Sequence, residues 1–162
     1  MTTDKSSLHD AISNMLIECD MFNAFTWPEV QSIARYFNIS DIEQGGMIFQ
    51  EGDVGSFMGI INDGNVNVLK SNLEERNVQL ATLPKGRTFG EMAVLDGERR
   101  SATCVAATDC ILLTLSKDSL DKMLEEMPAI AAKVIRAVAI ALSRRLRMAD
   151  GKLIDRRYSS AY

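Results

Sequence analysis

Glu91 and Arg100 stand at opposite ends of one short segment, FGEMAVLDGERRSAT, residues 89–103. A carboxylate only accepts hydrogen bonds, and it can take the proton of a sugar hydroxyl. An arginine carries a permanent, planar, charged fork that suits phosphate. Ser101 adds a hydroxyl donor beside it. The stretch EMAVL reads as one helical turn, and the N–H groups at a helix start, with their partial positive charge, favour an anion. Gly90 just ahead of it lets a ligand approach the backbone closely. The Asp96-Gly97 turn then brings Arg100 back. The segment thus holds a hydroxyl reader and an anion cradle, which together fit a compact phosphorylated sugar. Taken singly, Glu91 and Arg100 suit a surface ion pair worth under ~1 kcal/mol, and Gly90 suits an ordinary turn. Their joint spacing is what points to a ligand.

The rest of the chain narrows the chemistry. With 162 residues, 46% apolar and 25% charged, it holds one domain with room for a helical appendage. No apolar run approaches the roughly 18 residues of a membrane span. The N-terminus, MTTDKSSLHDAISN, is polar and partly acidic, unlike a signal peptide. Cys19, Cys104 and Cys110 are odd in number and lack paired spacing, which fits reduced thiols in a cytoplasmic setting and small buried side chains. The single histidine, His9, excludes histidine metal clusters and weakens any Ser-His or Cys-His nucleophile. No CxxC, HExxH, GxSxG, Walker A or GxGxxG pattern occurs. No catalytic residue and no metal ligand is assigned; the expectation is a binding domain and not an enzyme.

The elements that must position the segment follow from periodicity. Leu8, Ile12, Met15, Leu16 and Cys19 mark a helix over Ser6–Asp20, capped by Ser6 or Ser7. A second helix opens at Thr26 with Pro28 in its first turn, and Val30, Ile33, Ala34 and Phe37 line one side. Short apolar or alternating runs then alternate with glycine turns, and Asp63-Gly64 between FMGIIN and NVNVLK predicts a hairpin. SATCVAA and CILLTLS are two further strands, and the whole pattern suggests a small barrel or jelly roll. Leu120, Met123 and Leu124 mark a helix in KDSLDKMLEEM. After Pro128 a longer helix follows, with Ile130, Val134, Val138, Ala141/Leu142, Leu146 and Ala149 on one stripe and a break expected at Gly151. The expected division is a helical segment at 1–36, a β-roll at 37–116 with the ligand segment at 89–103, and C-terminal helices with a basic tail at 117–162. The last thirty residues hold eight cationic and two acidic side chains, about +6, leaving about −10 elsewhere for the net −4. That basic end reads as a solvated helix face or as a surface for an anionic partner.

FGEMAVLDGERRSAT resembles the phosphate-binding cassette of the cyclic nucleotide-binding domain family, which includes kinase A regulatory subunits, the bacterial catabolite activator and cyclic nucleotide-gated channels. The matching residues are Phe89-Gly90-Glu91-Met92-Ala93-Val94 and Arg100-Ser101-Ala102, and IFQEGDVGSFMGIINDGNVNV resembles the family's early strands. The likeness covers about residues 10–135. It implies an α+β fold, an eight-stranded jelly-roll-like β-roll with N-terminal helices and C-terminal hinge and lid or dimer helices. It implies cAMP or cGMP as ligand and no other cofactor. Arg100 would pair with the cyclic phosphate, helped by Ser101 and the N–H groups near Ala93 and Ala102, and Glu91 with the Gly90 backbone would hold the ribose 2′-hydroxyl. Capture of the phosphate would tighten the cassette and shift the C-terminal helix, a population shift. Serine at 101, where threonine often accompanies cGMP preference, leans the reading to cAMP.

The same resemblance bears on the long helix. In the activator-like branch it implies a parallel homodimer through 129–150, with SRRLRMADGKL bringing Arg147 or Asp150 to the purine. If the helix instead packs on its own roll, Leu153 or Tyr158 becomes the cover for the base. The residue GKLIDRRYSSAY stretch is too short for a DNA-binding helix-turn-helix domain. Readings of other classes remain: the same fold sensing another ligand, an interaction protein whose basic helix meets an anionic membrane or nucleic acid, and a cupin-like enzyme. The lone His9 argues against haem, and the missing histidine cluster argues against the enzyme.

Overall fold

The computed structural model describes residues 2–74 and 76–159, excepting the side chains of 2, 3 and 157–159. Helices α1 (Thr2–Glu18) and α2 (Trp27–Ala34) precede the strands, with a 3₁₀ turn at Asp20–Phe22 between them. The strands are β1 (Phe37–Ile42), β2 (Met47–Phe49), β3 (Phe57–Asp63), β4 (Val66–Ser71), β5 (Asn77–Leu83), β6 (Thr88–Phe89), β7 (Thr103–Ala106) and β8 (Cys110–Ser116). Helix α3 (Glu91–Asp96) lies between β6 and β7, and α4 (Lys117–Glu126) and α5 (Pro128–Ser159) follow β8. Among the described residues the strands form two four-stranded antiparallel sheets, ordered β1-β8-β3-β6 and β2-β7-β4-β5. This is the expected β-roll with helices at both ends of the chain.

Two apolar clusters hold it together, and strand alternation assigns residues to each. On β3, Met58 and Ile60 turn outward to the helices, while Ile61 turns into the roll. On β8, Leu113 and Leu115 face the helices, while Cys110 and Leu112 face inward with Val66, Phe89, Cys104 and Ala106. The sheet containing β3 and β8 is therefore covered on both faces, which is why CILLTLS reads as a nearly continuous apolar run. The outer cluster joins Ile12, Leu16, Phe22, Val30, Ile33, Leu120, Met123, Ala131, Val134 and Val138.

Local sequence explains several element starts. Thr26 and Glu29 form a reciprocal capping box: Thr26 Oγ1 accepts from Glu29 N–H at 3.4 Å, and Glu29 Oε2 accepts from Thr26 N–H at 3.1 Å. Ser116 Oγ accepts from Ser119 N–H at 3.0 Å and caps α4. Lys133 of α5 reaches back to the α2 cap, with Nζ 2.6 Å from Glu29 Oε2, 3.0 Å from the Ala24 carbonyl and 4.7 Å from the Phe25 ring centroid. The N-terminal half of α5 is thereby tied to the N-terminal helices.

The structure corrects four expectations. Asp63-Gly64 does not close a hairpin, because β3 and β4 belong to different sheets. The turn packs instead on the β7–β8 connection: Asn65 N–H donates to Thr108 Oγ1 at 3.0 Å, and Ala107 N–H donates to the Asn65 carbonyl at 2.9 Å. Gly64 has φ +88°, and a Cβ there would lie 2.3 Å from the Asp109 carbonyl oxygen. Helix α1 starts at Thr2 and runs through Ser6 and Ser7, since nothing between breaks it. Helix α2 stops at Ala34, where Tyr36 N–H tightens onto the Ile33 carbonyl at 3.0 Å, and Phe37 begins β1 while still joining the outer cluster. Helix α5 continues through Gly151, which has no left-handed φ and is followed by no proline. Among the described residues no helix is long and apolar enough to cross a membrane.

Candidate functional site

Gly90 has φ +72°, a left-handed conformation, and a Cβ there would fall 2.5 Å from Arg100 Nη1 and 3.2 Å from Phe49 Cε1. Glycine at this point serves both the turn out of β6 and the close approach of an arginine. Arg100 is 4% exposed. Its Nη1 donates to the Gly90 carbonyl at 2.9 Å and its Nη2 to the Phe57 carbonyl at 2.6 Å. The guanidinium carbon lies 3.8 Å from the Phe49 ring centroid and 4.8 Å from that of Phe57, so two rings hold the fork by cation–π contact. Burial pulls the Arg100 pKa down while the charges of Cys104, Asp53 and Glu91 push it back up. An arginine so held stays protonated.

The main chain around Arg100 is clamped as well. Arg100 N–H donates to the Asp53 carbonyl at 2.8 Å, and Gly52 N–H donates to the Arg100 carbonyl at 2.9 Å. Lys70 Nζ donates to the Ser101 carbonyl at 2.7 Å and lies 3.5 Å from Glu51 Oε1. The Glu51 carboxyl is held below the usual range, chiefly by the Ser71 N–H it accepts. Arg99, by contrast, is exposed, with Nη1 on the Gly52 carbonyl at 2.9 Å.

Glu91 opens α3 and is fully buried. Arg145 of α5 forms an ion pair with its Oε1 through Nη2, and the same Nη2 donates to the Thr88 carbonyl at 2.8 Å. Among the described residues neither Glu91 carboxylate oxygen nor Arg100 Nε has a hydrogen-bond partner, Oε1 having the Arg145 ion pair and Oε2 nothing. Arg100, Glu91 and Arg145 all act electrostatically on the buried Cys104 thiol, which desolvation pushes up to about 12. The cassette ends are thus in one place: a guanidinium fork and a carboxylate, each with a buried polar atom that has no hydrogen-bond partner.

Of the other residues named from sequence, Phe89 and Ala93 are buried, Ala102 is half-buried, and Met92 and Ser101 are exposed. The structure places Arg147, Asp150 and Leu153 exposed on α5. The side chain of Tyr158 lies outside the described residues. Sequence reasoning missed Arg145, Phe49 and Phe57. Two signals were there to find them. Arg145 follows Val138 by two helical turns, in phase with the buried Ala131, Val134 and Val138 stripe. Phe49 and Phe57 flank the glycine-containing loop that clamps Arg100.

The sequence matches the family model described as "Cyclic nucleotide-binding domain" over residues 40–127, which takes in both halves of this cradle. The chain belongs to the cyclic nucleotide-binding domain family. It is 34% identical to the cyclic AMP receptor protein of Thermus thermophilus, in a match covering 82% of this chain and 60% of that one. The crystal structure of the Thermus thermophilus catabolite activator protein superposes with a TM-score of 0.72 at 34% identity, covering 82% and 61% of the two chains. A cyclic nucleotide-binding domain from Methylobacillus flagellatus superposes with a TM-score of 0.81 at 28% identity, covering 91% of this chain and 83% of that one. The chain therefore spans less than two thirds of the Thermus relative. The family is one of regulatory ligand-binding domains, and the β-roll of this domain is the family's fold.

Proposed function

We propose that this domain is a receptor for a 3′,5′-cyclic purine nucleotide, with cAMP preferred to cGMP, and that it does no chemistry on its ligand. The observation that carries the reading is the pair of buried, unpartnered polar atoms, Glu91 Oε2 and Arg100 Nε, in one cassette. Leaving such atoms unpaired costs on the order of 1–3 kcal/mol each, and a ribose cyclic phosphate offers a hydroxyl for the first and an anion for the second. Arg100 takes the phosphate, with Ser101 and the N–H groups near Ala93 and Ala102. Glu91 and the Gly90 backbone take the 2′-hydroxyl. Phe89 and Met92 belong to the same cassette. The lean to cAMP is supported by serine at position 101 and by the name of the Thermus relative.

Ligand capture biases α5, because α5 touches the cassette through Arg145. The exposed Leu146, in line with Val138 and Leu142, supports a homodimer through 129–150, since packing on the roll does not extend to it. Three free, buried cysteines support a cytoplasmic setting.

Calorimetric titration of cAMP and cGMP into the wild type, Arg100→Ala and Arg99→Ala tests the assignment. Arg100→Ala should weaken binding by at least ~2 kcal/mol, about thirtyfold, through loss of a charge-assisted phosphate contact. Arg99→Ala should bind as the wild type does. Equal affinity of the wild type and Arg100→Ala refutes the site. A wild-type preference for cGMP of about tenfold refutes the lean to cAMP.

A further inference from the structure

Lys70 brings a cation to the far end of the cassette. Val66 and Val68 of β4 turn into the roll, so Lys70 shares their face by strand alternation. The β4–β7 pairing runs from Val66↔Ala106 to Leu69↔Thr103, and one step further sets Lys70 beside Ala102. There the ammonium crosses to the cassette: Nζ donates to the Ser101 carbonyl at 2.7 Å and lies 3.5 Å from Glu51 Oε1. Glu51 is fixed in turn, since its Oε2 accepts from Ser71 N–H at 2.9 Å and its own N–H donates to Thr103 Oγ1 at 2.9 Å. The chain is therefore pinned on both sides of the Ser101–Ala102 peptide unit, at Arg100 by the Gly52 and Asp53 backbone and at Thr103 by Glu51. That peptide is trans, so the Ser101 carbonyl and the Ala102 N–H point in opposite directions. With the carbonyl turned to Lys70, the N–H is aimed away from it, and among the described residues it has no hydrogen-bond acceptor.

We infer that Lys70 is the positioning residue for the phosphate contact of the Ala102 N–H. Lys70 itself does not touch the ligand. By holding the Ser101 carbonyl it fixes the plane of the peptide, and with it the direction of the Ala102 donor. A peptide unit between two pinned points can still rotate as a whole, which would turn the carbonyl oxygen toward the anion and repel it. That rotation forfeits the charge-assisted hydrogen bond from Lys70 and is disfavoured by it. Glu51 keeps the ammonium at its post, because it pairs with the cation while its other oxygen is tied to the β4 backbone. The donor is thus set before the ligand arrives, and binding is spared the cost of ordering it. The inference rests on the reading of the cassette as a cyclic phosphate site.

The test pairs calorimetric titration of cAMP with amide proton–nitrogen correlation spectra of the wild type, Lys70→Met and Lys70→Arg. Lys70→Met keeps an apolar stem and removes the ammonium. It should lose about tenfold in cAMP affinity, the worth of one hydrogen bond to a charged group. Lys70→Arg, which can still donate to the carbonyl, should hold affinity to within about threefold. The loss in Lys70→Met should persist at ~1 M salt, where the screening length is about 3 Å, because a direct hydrogen bond and not a distant charge has been removed. In the wild type, saturation with cAMP should carry the Ala102 amide proton far downfield, as a hydrogen bond to an anion does. Lys70→Met should lose most of that displacement and Lys70→Arg should keep it. The amide position at saturation belongs to the folded, bound molecule, so a destabilised variant still reports. Unchanged cAMP affinity in Lys70→Met, or an undiminished Ala102 displacement, overturns the inference and leaves the cyclic nucleotide reading standing. A loss that vanishes at ~1 M salt overturns it too, and makes Lys70 only an attracting charge. A wild type that binds no cyclic nucleotide overturns the receptor reading itself.

Discussion

Gly90 and Gly97 bracket α3 with the same left-handed backbone angle, φ +72°, yet their surroundings differ. A Cβ at Gly97 meets nothing within 4 Å. A Cβ at Gly90 falls 2.5 Å from Arg100 Nη1, with Phe49 Cε1 and the Phe57 carbonyl oxygen both at 3.2 Å. Gly97→Ala therefore carries only the left-handed strain of an L-residue, about 1–2 kcal/mol. Gly90→Ala carries the same strain and also drives Arg100 off the Gly90 carbonyl, a hydrogen bond from a charged donor worth roughly 1.5–3 kcal/mol. The fork has little room to yield, because Phe49 and Phe57 hold its carbon at 3.8 and 4.8 Å. Gly90→Ala should then be destabilised by ~2.5–5 kcal/mol in total and Gly97→Ala by the smaller sum. In a chain of this size each kcal/mol lowers the melting temperature by roughly 2–4 °C. Displacement of Arg100 should also weaken cAMP binding by about tenfold, while Gly97→Ala binds normally. The assays are thermal unfolding by circular dichroism and calorimetric titration. Equal destabilisation and equal affinity in the two variants would refute the argument, since both share the backbone term and only Gly90 has the contact.

Two further expectations concern assembly and pH. A dimer through 129–150 predicts twice the chain mass in light scattering, and Leu146→Lys, at a position 64% exposed, should convert it to the monomer; a wild-type monomer with and without cAMP removes the seam. Glu29, Glu51 and Glu126 are held below the ordinary carboxylate range, chiefly by the Lys133 ammonium, the Ser71 N–H and the Tyr36 hydroxyl respectively. Depressed folded pKa values mean stability that is present above the unfolded value, ~4.3, and lost as pH falls through the folded ones. The melting temperature should hold above about pH 5 and decline below about pH 4, and a flat profile down to pH 3, on the order of one unit lower, contradicts it.

What the sequence determined by itself is what short-range chemistry controls. The cassette lies within residues 89–103, so its turn, its single helical turn and its paired Glu91 and Arg100 were legible as neighbours. The Thr26 cap of α2, the proline start of α5 and the alternation in β4 are likewise local, set by side-chain hydrogen bonds and strand period within a few residues. The tertiary structure alone decided which sheet each strand joins. Asp63-Gly64 has the residues of a hairpin turn, but its backbone groups are satisfied by Asn65 contacts with Ala107 and Thr108, more than forty residues away. It also decided the partner of Glu91. Arg145 sits among neighbouring arginines that read as a basic solvated face, and only the packing of Ala131, Val134 and Val138 on the roll sets the helical phase that aims it at the cassette. Phase is a property of the docked helix, because every turn of an isolated helix offers its side chains to solvent alike, and burial of one stripe is what selects a direction.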